Sequence, residues 1–323
     1  MPNLSLRTPE ETLKELNEEQ LKAIQKVYQN AYKNVKGKLK NFQSKTPSSE
    51  LEKQELKKIK KNIHSEYKEV GSKIESLLKQ GIEKASKVAV NVNVNWLKKA
   101  GINFKAAYSY VPKDIVESIA TGQIYKSNWS LSKAIWNDVE KNQKDIEQII
   151  ATGLAENKSS FDIAKDLEKY ANPNAKKDYD WSKVYPGTKK RIDYNALRLS
   201  KTLISHGYQQ SYEKTVSKNP FVEGVKWEIA NNHRVCDICK ERAKQNKYGL
   251  GEGIYPKDKV PMDHPNGQCV LTSVIPPMTD VANRLAGWVN GKEDKALDNW
   301  AKDLTGNKVK SKAINFIKNK IKF

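Results

Sequence analysis

The three cysteines of the chain lie close together in the sequence, and one of only four histidines lies among them. The pattern is C-x2-C at Cys236 and Cys239, then 24 residues, then H-x4-C at His264 and Cys269. Two short turns spaced in this way can aim three thiolates and one imidazole at a single point, which is the donor set of a closed, tetrahedral zinc site. The sequence therefore predicts a structural zinc ion held by Cys236, Cys239, His264 and Cys269.

Two other interpretations of the cysteines stay open at this point. Cys236 and Cys239 could form a disulfide or remain free thiols without a metal, and a C-x-x-C pair can also be a redox motif. The redox motif normally lies in a βαβ setting, which this region lacks. Thiols inside a cell stay reduced, and the pattern leaves no cysteine over, so both points favour a metal.

Regular elements are predicted around these turns. Val222–Ile229 alternates apolar and polar residues as a strand does, Cys236–Lys244 can begin a short helix, and Cys269–Val274 is a second strand candidate. Together they predict a small α+β domain over residues 219–277. Because its own core would be too small to fold alone, we expect the metal to contribute on the order of 10 kcal/mol or more to its folding.

The first hundred residues carry the pattern of two long amphipathic helices. Thr8 and Glu11 form a capping box in front of a heptad-like apolar stripe. Thr46–Ser49 breaks this helix and a second stripe follows, which predicts a helical hairpin or coiled-coil arm over residues 1–100. Within it, residues 88–96 alternate as a strand would, but no breaker precedes them and we predict helix.

Shorter helices and a linker are predicted for residues 101–218, the helical body. Ser130 can cap a helix that ends at Gly153, and Asn172–Gly187 has the prolines and polar residues of a loop. After the cysteine domain, residues 278–323 form a basic helical tail in which lysines interleave with apolar residues. Such a tail could contact phosphates, lipid or an acidic partner, or could simply dock on the rest of the chain.

The predicted fold class is therefore mainly α, with a long N-terminal helical hairpin, a helical body, a small C-terminal α+β zinc-knuckle-like domain and a basic helical tail. Seven Trp and 14 Tyr argue against global disorder, although 30% of the residues are charged. A formal net charge of +20 favours polyanionic partners such as nucleic acid, an acidic protein surface or anionic lipid. A Lys-rich surface without a specific partner has the same composition. No stretch approaches 18 apolar residues and no signal-peptide design is present, so we expect no membrane span and a cytoplasmic origin.

Motifs of common enzymes are missing from the sequence. It has no phosphate loop, no G-x-S-x-G elbow and no H-E-x-x-H zinc motif. Asp263–Gly267 resembles the first motif of HNH-type nucleases, which would need His264 as a base and further ligands downstream. No histidine follows His264. We expect no enzymatic activity and no catalytic residues, with a metal-dependent HNH-like nuclease or toxin-type effector as the alternative.

The order of motifs around the cysteines resembles a known family. The residues that carry the resemblance are Trp227, Cys236, Cys239, Pro261, His264, Pro265, Asn266, Gly267, Gln268, Cys269, Val270 and Leu271. In this order they are similar to the phage Mu F-like head morphogenesis proteins, the minor head (minor capsid) proteins of tailed phages. The similarity covers residues 100–277. Family members often carry a further cysteine where this chain has Gly267, so this chain offers one thiolate fewer.

The resemblance implies a non-enzymatic protein of the virion. Minor head proteins join the procapsid through the portal protein, which is therefore the expected partner, with capsid or scaffolding protein as further candidates. It also implies a position inside the head near the portal, and in the host cytoplasm during assembly. The basic surface could bind packaged double-stranded DNA non-specifically through its phosphates. A generic nucleic-acid-binding protein with a structural zinc site is the third hypothesis.

Overall fold

The computed structural model describes residues 8–40, 50–99, 108–125, 127, 129–156, 158, 160–172, 192–230 and 236–305. Over these ranges the chain is mainly helical with one small antiparallel sheet, which confirms the predicted fold class. The helices are α1 (Pro9–Lys40), α2 (Glu50–Lys99), α3 (Val111–Thr121), α4 (Leu131–Ala155), α5 (Ser160–Ala171), α6 (Tyr194–Val216), α7 (Asp237–Lys244), α8 (Met278–Val289) and α9 (Lys295–Thr305). The strands are β1 (Gly224–Glu228), β2 (Ile254–Tyr255) and β3 (Val270–Val274).

The chain folds into two compact units. One, here called the site unit, comprises Met1–Asn17, Gly81–Ser118 and Lys201–Phe323 as far as they are described. The other, the helical unit, comprises Glu18–Gln80 and Ile119–Ser200 within the same limits. Helices α1, α2, α3 and α6 each contribute residues to both units. The four consecutive segments expected from the sequence stay a prediction.

The long N-terminal helix pair is present. Thr8 N donates to Glu11 Oε2 at 2.9 Å and Glu11 N donates to Thr8 Oγ1 at 3.2 Å, so the predicted capping box begins α1. Helix α2 continues through residues 88–96, which confirms the helix prediction there. Its buried residues Ala89, Val90, Asn93 and Val94 recur three or four positions apart on one face instead of alternating. The predicted break at Thr46–Ser49 lies outside the described residues.

In the helical unit, α4 and α5 pack with the parts of α1 and α2 that belong to it. The buried Tyr28 hydroxyl donates to Asp138 Oδ2 at 3.3 Å, and Asn195 Nδ2 donates to the other oxygen of Asp138 at 2.8 Å. The predicted helix end at Gly153 is wrong by two residues, because α4 continues to Ala155. A Cβ at Gly153 would lie 2.6 Å from Ile163 Cγ1, so this glycine allows α5 to approach α4 closely.

The site unit contains the sheet, in the order β2-β1-β3 with both pairings antiparallel. Strands β1 and β3 correspond to the two predicted strands, and Trp227 of β1 pairs with Leu271 of β3. The sequence does not predict β2. That strand has only two residues, which is too short to show alternation, and it follows a glycine-rich turn where Gly251 and Gly253 have φ angles of 116° and 69°.

The sheet shares its core with the rest of the site unit. One apolar cluster joins residues of α1, α2 and α6 to the sheet, and it includes Leu13, Leu16, Ala85, Ala89, Ile204, Tyr208, Tyr212, Val225, Trp227, Cys239, Cys269 and Leu271. The buried Tyr208 hydroxyl donates to Leu271 O at 3.1 Å, and the Tyr212 and Ser273 hydroxyls lie 2.8 Å apart. The cysteine region therefore has a larger core than the small, isolated one expected from the sequence.

Helices α8 and α9 form the described part of the predicted tail. Trp288 Nε1 donates to Asp298 Oδ1 at 2.9 Å, and the buried Trp300 ring packs edge-on against Phe221. Residues 306–323 and the predicted linker from residue 173 onward lie outside the described residues. Within the described ranges, no helix combines the length and apolar character needed to cross a bilayer.

Candidate metal centre

Helix α7 positions the first two cysteines. Cys236 is its N-cap residue, and the Cys236 Sγ accepts a hydrogen bond from the backbone N–H of Cys239 at 3.4 Å. This cap folds the C-x-x-C sequence so that the two sulfurs lie 3.5 Å apart. No disulfide joins any of the three cysteines, all of which are free thiols. The turn thus presents two neighbouring sulfur donors, one half-buried and one buried.

His264 supplies a nitrogen to the same point. Its Nε2 atom lies 3.2 Å from Cys236 Sγ and 3.1 Å from Cys239 Sγ. Its Nδ1 atom lies 2.9 Å from the carbonyl oxygen of Pro265, and a carbonyl can only accept. Nδ1 therefore carries a proton, and in the neutral ring Nε2 then directs its lone pair toward the sulfurs. A ligating histidine is usually fixed in this way, by a hydrogen bond from its other ring nitrogen.

The spacing of these atoms fits a small tetrahedral ion. Two thiolates on one zinc ion lie about 3.7 Å apart, and a thiolate and an imidazole nitrogen about 3.5 Å apart, given Zn–S and Zn–N bonds of about 2.3 and 2.0 Å. The ligand atoms of Cys236, Cys239 and His264 all lie within 4.8 Å of one another. They are close enough to bind a metal ion, and outward shifts of a few tenths of an ångström would give zinc distances.

Cys269 lies beside this group. Its Sγ is 3.5 Å from Cys239 Sγ, and its side chain is buried immediately before β3. It is not one of the three residues whose ligand atoms are all mutually close. The structure thus brings together three of the four residues predicted from the spacing and places the fourth in contact with one of them. The assignment of Cys269 as the fourth ligand stays a prediction.

Burial controls the ionisation of the cysteines. Burial raises the pKa of Cys239 far above its ordinary value, and the neighbouring Cys236 and Cys269 add to the rise. Burial also raises the pKa of Cys269, and the charge of Asp263 acts in the same direction. The hydrogen bond from the Cys239 backbone N–H lowers the pKa of Cys236. Burial thus favours the neutral thiol at Cys239 and Cys269, and either group would have to release its proton to act as a thiolate ligand.

The Asp263 side chain makes several polar contacts beside the turn that carries His264. Its buried carboxylate accepts from Ser205 Oγ and from the backbone N–H of His264, both at 2.9 Å. The Arg242 guanidinium has one nitrogen 3.7 Å from this carboxylate, and it stacks over the Trp227 ring at 4.8 Å. The sequence draws attention to Asp263 only through the nuclease-like motif, and nothing local in it identifies Arg242.

Gly267 closes the turn against that carboxylate. Its N–H donates to His264 O at 2.8 Å, and Asn266 before it has a φ of 65°. A Cβ at Gly267 would lie 2.1 Å from an oxygen of Asp263. A cysteine, which the resembled family often has at this position, would therefore collide with Asp263.

Comparisons of the chain with models of protein families, with curated proteins and with solved structures found no match.

Proposed function

We propose that the site unit binds one structural zinc ion through Cys236, Cys239 and His264, with Cys269 as the fourth ligand. The observation that carries this proposal is the convergence of two sulfurs on the Nε2 atom of His264 at 3.1 and 3.2 Å. Three thiolates and one imidazole suit zinc better than oxygen-preferring cations such as Mg2+. The proposed role is structural, because four protein ligands leave no position for a substrate.

The fourth ligand can be tested with Co2+ in place of zinc. Thiolate ligands give Co2+ sites an absorbance in the near ultraviolet that scales with the number of sulfurs. We expect Cys269→Ser to bind Co2+ with about two thirds of the wild-type absorbance, and Cys239→Ser to lose most of the binding. Equal absorbance in Cys269→Ser and the wild type would remove Cys269 from the ligand set and leave the other three ligands in place.

At the level of biology, we propose that the protein is a structural minor head protein of a tailed phage or prophage. It would dock on the portal protein inside the procapsid and assist head assembly and the packaging or delivery of DNA. The order of motifs from Trp227 to Leu271 supports this proposal, as does the mainly helical fold with a compact cysteine region. His264 directs Nε2 at two sulfurs, so it is poorly placed to act as a nuclease base.

Co-expression with the cognate portal protein tests the assembly role. We expect the two proteins to co-purify through size-exclusion chromatography and to remain together at moderate salt. The experiment uses the full chain. Failure to co-purify with portal, together with cleavage of DNA in Mg2+ or Mn2+, would contradict the role and favour the nuclease.

The charge distribution supports a contact with packaged DNA. Two segments, 173–191 and 306–323, contain 12 of the 58 basic residues but only two of the 38 acidic ones, so they carry +10 of the net charge of +20. We propose that these segments make the non-specific phosphate contacts, because basic residues outnumber acidic ones there by 12 to two.

Salt titration of DNA binding tests this assignment. We would replace the tail lysines Lys308, Lys310, Lys312, Lys318, Lys320 and Lys322 by Gln. Each lost phosphate contact should reduce the slope of log K against log salt by about 0.9. An unchanged slope, or no binding of duplex DNA by the wild type at low salt, would contradict a DNA contact by the tail.

A further inference from the structure

One face of α6 presents a row of polar side chains to the turn that carries His264. The row consists of Thr202, Ser205, His206 and Gln209, at positions i, i+3, i+4 and i+7, which share one side of a helix. Ser205, His206 and Gln209 are buried, although each carries polar atoms. Buried polar groups are retained where they have hydrogen-bond partners, so the partners of this row show what it does.

All four side chains bond to residues 263–266. Gln209 Oε1 accepts from the backbone N–H of Asp263 at 2.8 Å, and His206 Nε2 lies 3.0 Å from Asp263 O, to which it must donate. Burial lowers the pKa of His206, which keeps this imidazole neutral. Ser205 Oγ donates to the Asp263 carboxylate at 2.9 Å. Thr202 Oγ1 accepts from the backbone N–H of Asn266 at 3.1 Å.

These bonds fix the turn on both sides of the ligand. Asp263 is held through its backbone N–H, its carbonyl and its carboxylate, and Asn266 is held through its N–H. His264 lies between the two anchored residues, and its own N–H is bound to the Asp263 carboxylate at 2.9 Å. None of these bonds uses a metal ligand atom. The backbone that aims His264 is therefore determined by α6.

We propose that α6 preassembles the metal centre, so that the ion binds a turn already in place and adds stability to a cysteine region that folds without it. Gln209 and Thr202 are the residues that position the turn around His264. The proposal rests on the metal site proposed above. A continuous core between α6 and the sheet supplies the stability that isolated zinc modules take from their metal. Cys236 and His264 are only half-buried, which leaves a side from which an ion can be exchanged.

The test compares two neighbouring glutamines of α6 in the full chain after removal of metal by a chelator. Gln209 holds the turn, whereas Gln210 is half-buried and has no hydrogen bond to it. We expect the metal-free wild type to keep its helical circular dichroism and a cooperative thermal transition. We expect Gln209→Ala to bind Co2+ at least tenfold more weakly than the wild type, as for other residues that orient ligands, and Gln210→Ala to bind it equally well.

Amide hydrogen exchange gives a readout that is independent of the metal. In the metal-free wild type and in Gln210→Ala, the N–H groups of Asp263 and Asn266 should be protected, and in Gln209→Ala the Asp263 N–H should exchange faster. If Gln209→Ala does not fold, Thr202→Val takes its place, because Val keeps the shape but cannot accept from Asn266. We then expect Thr202→Val to bind Co2+ at least tenfold more weakly than the wild type.

The outcomes separate this proposal from the metal site itself. Equal Co2+ affinity of the wild type and the folded positioning variant would overturn the role of α6 and leave the metal site intact. Loss of structure on chelation of the wild type would overturn preassembly in the same way. No stoichiometric Co2+ binding by the wild type would remove the metal site and this proposal together.

Discussion

At the scale of single residues, the contact between Gly267 and Asp263 sets the shape of the turn that carries His264. We expect Gly267→Ala to destabilise the protein by about 2–4 kcal/mol, because its Cβ would lie 2.1 Å from a buried carboxylate that is held by Ser205. Urea unfolding would measure the change. The matched control is Gly37→Ala in α1, where a Cβ meets nothing and Ala favours the helix by up to about 1 kcal/mol. Equal stabilities of the two variants would contradict this account of the turn.

Glu213 of α6 makes the folding stability of the protein depend on pH. Burial raises the pKa of its carboxyl from 4.5 to about 7, and its Oε1 atom is buried without a hydrogen-bond partner. Because the folded state holds this proton more tightly than the unfolded state, the group favours folding at low pH. Its contribution is lost as the pH rises from about 4.5 through about 7.

We therefore expect Glu213→Gln to stabilise the protein at pH 8 by up to about 3 kcal/mol and to have little effect at pH 4. Gln removes the ionisation and keeps the volume of the side chain. Thermal unfolding of both proteins at the two pH values measures the difference. A difference that is the same at pH 4 and pH 8 would show that the carboxyl is not responsible.

At the scale of elements, α6 connects the apolar core to β3. Tyr208 is fully buried and donates to Leu271 O, so removal of its hydroxyl leaves a buried carbonyl without that donor. We expect Tyr208→Phe to cost about 1–3 kcal/mol in unfolding experiments. Tyr110→Phe is the control, since Tyr110 is 52% exposed and should tolerate the change. A cost as small as that of the control would mean that the hydroxyl does not hold the strand.

The elements that sequence patterns predict well are those whose signals are local. The capping box at Thr8 and the apolar stripes of α1 and α2 are set by neighbours within a few turns, and the structure contains them. Strand β2 has two residues, and its pairing partner β1 lies almost 30 residues away, so no local periodicity indicates it. Gly153 is a second example of a feature that local sequence does not reveal. Its place in α4 is explained by the close approach of Ile163 from α5.

The candidate site can likewise be predicted only in part from the sequence. The C-x2-C and H-x4-C spacings can be recognised in the sequence without the fold, and they predict that Cys236, Cys239 and His264 meet, as they do. The side chains that aim His264 come from α6, more than 50 residues earlier in the chain, and a polar row on a helix has no signature that names its partner. The proximity of these three residues can therefore be predicted from the sequence, whereas the residues that hold the turn around His264 require the fold.

At the scale of the whole molecule, the cysteine region and the most basic segments lie in different parts of the sequence. The cysteine region shares one core with α1, α2 and α6, whereas segments 173–191 and 306–323 carry +10 of the net charge of +20. Under the proposed function, these basic segments contact the DNA phosphates. The proposed metal would then take no part in the contact with DNA.

The central claim is that one metal ion is bound by the cysteines and His264, and its most direct test is the metal content of the purified protein. Elemental analysis should compare the wild type with His264→Ala and with His64→Ala, an exposed histidine of α2 that serves as the control. We expect one zinc per chain in the wild type and in His64→Ala, and far less in His264→Ala. No bound metal in the wild type, or a full complement in His264→Ala, would contradict the claim.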